Sequence, residues 1–273
     1  MAATLGTNPP AGAAAPEGMG LEVRDLKVFH GVVPAVRGVD LECKPGQILG
    51  IVGPNGAGKT SLLSGIAGVK KTSGGHVLLD GEDMSRWAAY RRGQAGIVMV
   101  NERRRVFPSL SVRENLAAGG WGLGKDEVEA RTEQMLDLFP RLRERESVPS
   151  FRLSGGEQRM VSIARALMTG ARCLLLDELS LGLAPRIVAQ LTEVVRQLAD
   201  EGRMIVLVEQ YVGVLLQLAD SVSILERGRV KFHGETQETA LWLQDHGYLK
   251  ATDLAAVGKK TVTIPTPTTQ HSN

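Results

Sequence analysis

From Leu21 to Cys43, apolar and polar residues alternate through "LEVRDLKVFH" and "VRGVDLEC", on either side of a Gly-Val-Val-Pro turn. A period of two with one apolar face predicts antiparallel strands solvated on one side. The pattern then changes. "QILGIV" is continuously apolar and runs into a glycine-rich turn, and "TSLLSGIAGV" follows with apolar residues at helical spacing as far as Gly68. From about 84 to 165 helical stretches dominate: in "KDEVEARTEQMLDLF", Val128, Met135, Leu136 and Phe139 can share one face, so the interval reads as an inserted helical subdomain. Beyond it, "ARCLLLD", "PRIVAQLTEVVRQLADEG", "RMIVLV" and "SVSILERGRVKFHG" alternate strand, helix, strand and hairpin. Such alternation builds a parallel sheet, and the predicted fold is α/β.

Both ends lack this patterning. Residues 1–19, rich in Ala, Gly and Pro, and 251–273, rich in Thr and Pro towards the end, read as mostly disordered tails around a single domain at 20–250. No repeat of fixed period occurs, which argues against a solenoid. The N-terminus has neither a basic n-region nor an apolar h-region, and no apolar run reaches the roughly 18 residues of a membrane span. The expectation is a protein neither secreted nor membrane-spanning. Cys43 and Cys173 stand far apart without CxxC spacing, which argues against a metal cluster or disulfide scaffold and makes a reducing compartment the default.

Thirty-two basic residues against 30 acidic leave a net charge of +2, too balanced for a surface that tracks a polyanion. Against that background "VNERRRVFP", residues 100–108, stands out for Arg103, Arg104 and Arg105. Alone it reads as a nucleic-acid patch, an anchor for acidic lipid or a solvated loop.

Chemistry concentrates elsewhere. "GPNGAGKT", residues 53–60, fits G-x-x-x-x-G-K-[ST] between a predicted strand and a predicted helix. Gly53, Gly56 and Gly58 let the backbone of Gly53, Pro54, Asn55, Gly56, Ala57 and Gly58 curl round phosphates at a helix N-terminus. Lys59 is expected to reach the β- and γ-phosphates, Thr60 to ligate Mg²⁺, and Ser61 to touch an inner phosphate. Downstream, "CLLLDE" is an apolar strand whose polar end is Asp177 and Glu178. Asp177 suits the metal of a bound nucleotide, and Glu178 suits the polarisation of a water for in-line attack on the γ-phosphate.

Between these lies "LSGGEQRMVSIARAL", residues 153–167. Ser154 can cap a helix, Gly155 and Gly156 expose its first N–H groups, and Met160, Ile163, Ala164 and Leu167 make its buried stripe. A phosphate loop, then LSGGE, then an apolar strand ending in Asp-Glu resembles the nucleotide-binding subunits of ABC transporters. The resemblance covers roughly residues 21–235. It implies a P-loop NTPase core of ABC type, with an N-terminal antiparallel β subdomain and the inserted helical subdomain. It also implies a head-to-tail dimer clamping two ATP, in which the phosphate loop of one subunit faces Ser154, Gly155, Gly156 and Glu157 of the other.

Other positions carry across by spacing. The aromatic that stacks on adenine falls at His30; the neighbouring Phe29 is expected in the core on strand alternation, with the stacking role as its alternative. Glu102 occupies the place of the family's glutamine, which senses Mg²⁺ and the attacking water, and a carboxylate there can still bind the metal. The three arginines then line the cleft that receives a membrane partner or form ion pairs. Gln210, in "VLVEQYV", replaces the switch histidine: it can hydrogen-bond a γ-phosphate or water but cannot take up a proton. Leu179 and Ala184 stand where the family has proline and aspartate.

"NERRRVFP", "LSGGEQR", "SLGLAP" and "LVEQ" together look like the ATP-binding subunit of branched-chain amino-acid importers and their amide or urea relatives. Asn101, Leu179 and Tyr211 differ from that subgroup. The resemblance implies a cytoplasmic ATPase, peripheral on the inner face of the cell membrane. Its partners would be integral-membrane permease subunits, a second ABC ATPase subunit, identical or different, and indirectly a solute-binding protein, with ATP and Mg²⁺ as cofactors. The alternatives are a soluble ABC ATPase acting on nucleic acid, ribosomes or an assembly complex, and an ATP-binding regulator with lost catalysis. The first is disfavoured by the single ATPase unit and the absence of a heptad insert or basic tail, and no nucleic-acid partner is expected.

Overall fold

The computed structural model describes residues 19–101 and 106–246. Glu102 and Arg103 to Arg105, and the tails apart from residue 19, lie outside the described residues.

Two sheets form the frame. The first is antiparallel, in the order β2-β1-β4-β5, from β1 (Leu21–His30), β2 (Val33–Cys43), β4 (Thr72–Leu79) and β5 (Glu82–Asp83). The second runs β10-β9-β3-β8-β7-β6, from β3 (Ile48–Val52), β6 (Ile97–Val100), β7 (Cys173–Asp177), β8 (Met204–Glu209), β9 (Ser221–Glu226) and β10 (Arg229–Glu235). Its pairings are parallel except for the hairpin of β9 with β10. Helices α1 (Lys59–Ile66), α2 (Ala89–Ala95), α3 (Val112–Gly119), α4 (Lys125–Leu138), α5 (Pro140–Arg143), α6 (Gly155–Met168), α7 (Pro185–Asp200), α8 (Val212–Leu218) and α9 (Thr236–Asp245) complete it.

The period of two divides the central sheet between two cores. Leu49, Ile51, Cys173, Leu175, Val206 and Val208 point to the side of α1 and the antiparallel sheet. Ile48, Leu174, Leu176, Ile205 and Leu207 point to the opposite side, where α6, α7 and α8 cover them. A parallel strand buried on both faces must be apolar throughout, which is why β3, β7 and β8 read as unbroken apolar runs. α3, α4, α5 and α6 pack on one another, with Met135, Leu136 and Phe139 buried against Met160, Ile163, Ala164 and Leu167.

Three expectations are corrected. The interval 84–165 is not wholly helical, because β6 lies inside it and pairs with β7 as an edge of the central sheet. The mutually packed helices begin after it, at α3. Phe29 is 44% exposed rather than core. A register shift between Val23 and Leu26 in the pairing of β1 with β2, with Asp25 at φ 46°, moves the buried face from Leu21 and Val23 to Leu26 and Val28, so Phe29 faces outward. The third is β4, an apolar-edged strand absent from the expected elements, which pairs with β1 along its whole length.

Cys43 and Cys173 are buried free thiols. Burial pushes Cys43 up to about 12 and Cys173 well above the ordinary thiol value, so both are inert side chains of the core. Among the described residues, no helix is long and apolar enough to cross a membrane.

Candidate functional site

The end of β3 delivers the chain into the loop at 53–58, and α1 starts at Lys59 with Gly58 as its N-cap. A glycine N-cap offers no side chain, so the N–H groups of the first turn, which have no carbonyl one turn back, stay available. Gly58 holds φ 106°, and a Cβ there would come within 2.2 Å of the Ala35 carbonyl oxygen. Only glycine fits the left-handed backbone and the close approach of β2. The Gly228 N–H, from the β9–β10 turn, donates to the Ala57 carbonyl at 2.8 Å, so both sheets grip the loop.

Lys59 is buried and folds back over the loop, its Nζ donating to the carbonyls of Gly53 at 2.7 Å and Pro54 at 3.2 Å. Burial lowers its pKa, and the carboxylates of Glu178, Asp177 and Glu209 pull the other way. A cation short of solvent in a cradle of unpaired N–H groups is arranged to receive a polyanion.

Beside it, Thr60 Oγ1 donates to Asp177 Oδ1 at 3.2 Å. These are two hard oxygen donors on adjacent elements, the helix start and the end of β7. The pair fits Mg²⁺, which takes one or two protein oxygens and completes its shell with phosphate and water. Among the described residues, no cluster of three or more His, Cys, Asp or Glu offers a protein-only metal cage.

Glu178 follows Asp177 at the sheet edge with φ 52°, a left-handed backbone that costs a side-chain-bearing residue about 1–3 kcal/mol. Its carboxylate Oε1 accepts from Gln210 Nε2 at 2.5 Å, so the structure brings these two predicted residues together. His30 is joined to the loop through one intermediary. Its Nδ1 lies 3.0 Å from Lys70 Nζ, which reaches Ser61 Oγ at 3.3 Å.

Ser154 caps α6 by a capping box: its Oγ accepts from the Glu157 N–H at 3.3 Å, and Glu157 Oε2 accepts from the Ser154 N–H at 2.8 Å. The Glu157 carboxylate, predicted to sit at the nucleotide, is thus engaged in the cap of its own helix. A Cβ on Gly156 would lie 2.6 Å from Ile187 Cγ2, so this glycine also lets α6 and α7 approach. The hydrogen-bond partners of Ser154 are residues of its own helix, and its exposed side chain faces solvent.

Two residues join the site that sequence reasoning missed. Arg159, 3% exposed on α6, donates to the carbonyls of Asn101, Asp177 and Glu178 at 2.5, 2.5 and 3.0 Å. It thereby ties the exit of β6 to the acidic strand end. Glu209, 1% exposed at the end of β8, accepts from the Ser180 N–H at 2.8 Å and the Ser180 hydroxyl at 2.7 Å. Burial pushes the Glu209 carboxyl up to about 7 despite those two bonds. The signal was present in "MIVLVE" and "EQRMV", each a charge at a position whose neighbours are core residues.

A groove of about 380 Å³ opens between β6, α3 and α6, lined in part by Val100, Asn101, Phe107, Gly119, Arg165 and Thr169. The Arg165 guanidinium lies 4.8 Å from the centroid of the Phe107 ring. Buried Asn115 shapes its rim, pairing with both N–H and C=O of Phe107 and with Ser150 Oγ.

Comparison with known proteins agrees with this geometry at the level of family. The family described as ABC transporter matches residues 36–180, from β2 through the phosphate loop to Ser180. The chain is similar to the high-affinity branched-chain amino acid transport ATP-binding protein BraG of Pseudomonas aeruginosa, 41% identical over 208 residues, 76% of this chain and 89% of that one. It is also similar to a probable branched-chain amino acid transport ATP-binding protein, LivF, of Archaeoglobus fulgidus, 36% identical over 73% of this chain and 85% of that one. Among solved structures, an ATP-binding cassette of an ABC transporter superposes with a TM-score of 0.78, over 84% of this chain and 97% of that one. At 24% identity, that likeness speaks for the fold.

Proposed function

Because the chain belongs to the ABC transporter family as an ATP-binding, ATP-hydrolysing subunit, we propose that it energises uptake of branched-chain amino acids or related small polar solutes through a separate membrane permease. The observation that carries this reading is its similarity, along most of its length, to BraG and LivF, whose names assign them to that transport.

In this reading the loop Gly53 to Gly58, Lys59 and the first turn of α1 hold the phosphates, and His30 stacks on the adenine, less strongly than a larger ring would. Thr60 and Asp177, with Glu102, hold Mg²⁺, which supplies neutralising charge to the phosphate oxygens when bound. Glu178 accepts hydrogen-bond and then proton from a water whose oxygen forms a bond to the γ-phosphorus as the bond to the ADP oxygen breaks, the electron pair leaving with ADP. Gln210 fixes the carboxylate by the bond already in place and never takes the proton itself. Ser154, Gly155 and Gly156 of a second ABC ATPase subunit, the same chain or a different one, close over the γ-phosphate. Hydrolysis opens that clamp.

The groove at Phe107 and Arg165 supports docking of the permease on this face, with the chain peripheral on the cytoplasmic side of the membrane. Chain carrying Glu178→Gln, held in ATP and purified from detergent-solubilised membranes, should bring polytopic permease subunits with it, identified by mass spectrometry. Recovery of soluble proteins or RNA alone, with the ATP-bound dimer formed, would sink the transport reading.

A further inference from the structure

We infer that Glu209 is a positioning residue for ATP hydrolysis: its carboxylate latches Ser180, two residues beyond Glu178, to the strand end that carries Gln210. The inference rests on the reading of Glu178 as the group that polarises the water.

The ladder between β7 and β8 ends at Asp177 opposite Val208. Regular pairing reaches no further than the backbone of Glu178, whose φ of 52° is disfavoured for a residue with a side chain. The last ladder bond and one contact beyond it hold the segment. The Glu178 N–H donates to the Val208 carbonyl at 2.9 Å, and both donors of Ser180, backbone and hydroxyl, go to the two oxygens of Glu209. Glu209 is followed directly by Gln210, whose amide donates to Glu178 Oε1. The segment 178–180 and the segment 208–210 are therefore clipped at both ends, with the Glu178–Gln210 bond on the open side.

Arg159 holds the same backbone from beneath, through the carbonyls of Asp177 and Glu178. The charged groups acting on the Glu209 carboxyl are Glu178 and Arg159, and Glu209 in turn acts on Lys59. A role in packing alone does not account for the residue. Every other position of β8 is a buried apolar side chain, and a carboxylate in that setting is costly unless each oxygen is paired. Here both are paired, and both to Ser180, two residues beyond Glu178.

The test uses the full chain with ATP turnover followed over a range of ATP concentrations, affinity for a fluorescent ATP analogue, and thermal melting. Glu209→Ala should lower kcat by about tenfold while KM for ATP stays within about twofold, since a small misplacement of reacting groups acts on the chemical step. Glu209→Gln, which keeps the size and one acceptor, should recover part of the loss. Ser180→Ala should lower kcat in the same sense, and the double variant Ser180→Ala with Glu209→Ala should be no slower than the worse single one. If Glu209→Ala fails to fold, Ser180→Ala carries the test. A cooperatively melting Glu209→Ala or Ser180→Ala chain with unaltered kcat overturns the latch, as does a parallel loss in kcat and nucleotide affinity. Glu178→Gln in the same assay separates the premise: if it keeps full turnover, the reading of Glu178 fails, whereas an inactive Glu178→Gln beside a fully active Ser180→Ala sinks the latch alone.

Discussion

Glu178→Gln is expected to bind ATP with affinity within about twofold of the unaltered chain and to hydrolyse it about 10²- to 10⁴-fold more slowly. The substitution keeps the length and polarity of the side chain and removes its negative charge and its ability to take a proton. Each tenfold corresponds to about 1.4 kcal/mol of barrier, so the loss amounts to about 3–5 kcal/mol carried by the chemical step alone. Gln210 cannot substitute, because an amide is no base at neutral pH and its Nε2 already donates to Glu178 Oε1. The same variant should accumulate as an ATP-bound dimer, seen by size-exclusion chromatography with light scattering in ATP but not in ADP. Turnover within about tenfold of the unaltered chain would remove Glu178 from the role of base.

Lys59→Ala acts on the other half of the site. The ammonium is buried over the phosphate loop with its charge opposed by desolvation, so its removal takes away charge-assisted hydrogen bonds worth about 1.5–3 kcal/mol. ATP and ADP affinity should fall by about 10- to 100-fold, measured by calorimetric titration, and turnover should fall below detection at ATP concentrations that saturate the unaltered chain. AMP, which lacks the outer phosphates, should bind both chains alike. Equal losses for AMP and ATP would show a collapsed loop rather than a lost phosphate contact, and melting of the variant would reveal it.

The two halves of the site differed in how much of them a sequence can show. The phosphate loop was legible because its chemistry is local: Gly58 must be glycine for its own φ, and Lys59 and Thr60 follow it at fixed spacing on α1. The acidic pair was legible because a buried parallel strand is an apolar run, and its polar end marks the edge of the sheet. The pairing of Glu178 with Gln210 was expected only as a shared place in one site, and the hydrogen bond gives it geometry.

What escaped depends on contacts between distant segments. Arg159 joins α6 to the ends of β6 and β7, and Glu209 joins β8 to the turn after β7, so neither has a spacing rule. β6 is four apolar residues, which fit one turn of a helix as well as a short strand, and only its pairing with β7 distinguishes them. Phe29 lies outside the core because strand alternation holds only while the register does, and the shift between Val23 and Leu26 turns its ring outward. Glu157 shows the reverse case: its place in the LSGGE motif suggested the nucleotide, whereas the capping box with Ser154 is a local device readable from Ser-x-x-Glu.

The central claim, that ATP turnover at this site drives uptake of branched-chain amino acids, is tested most directly in cells whose own copy of the chain is replaced by Glu178→Gln. Entry of radiolabelled leucine, isoleucine and valine would be followed in parallel with a cargo of unrelated chemistry. The account predicts that uptake of the branched-chain amino acids falls to background while the control cargo enters normally. Unaltered uptake of all three, with the purified variant inactive on ATP, would contradict it.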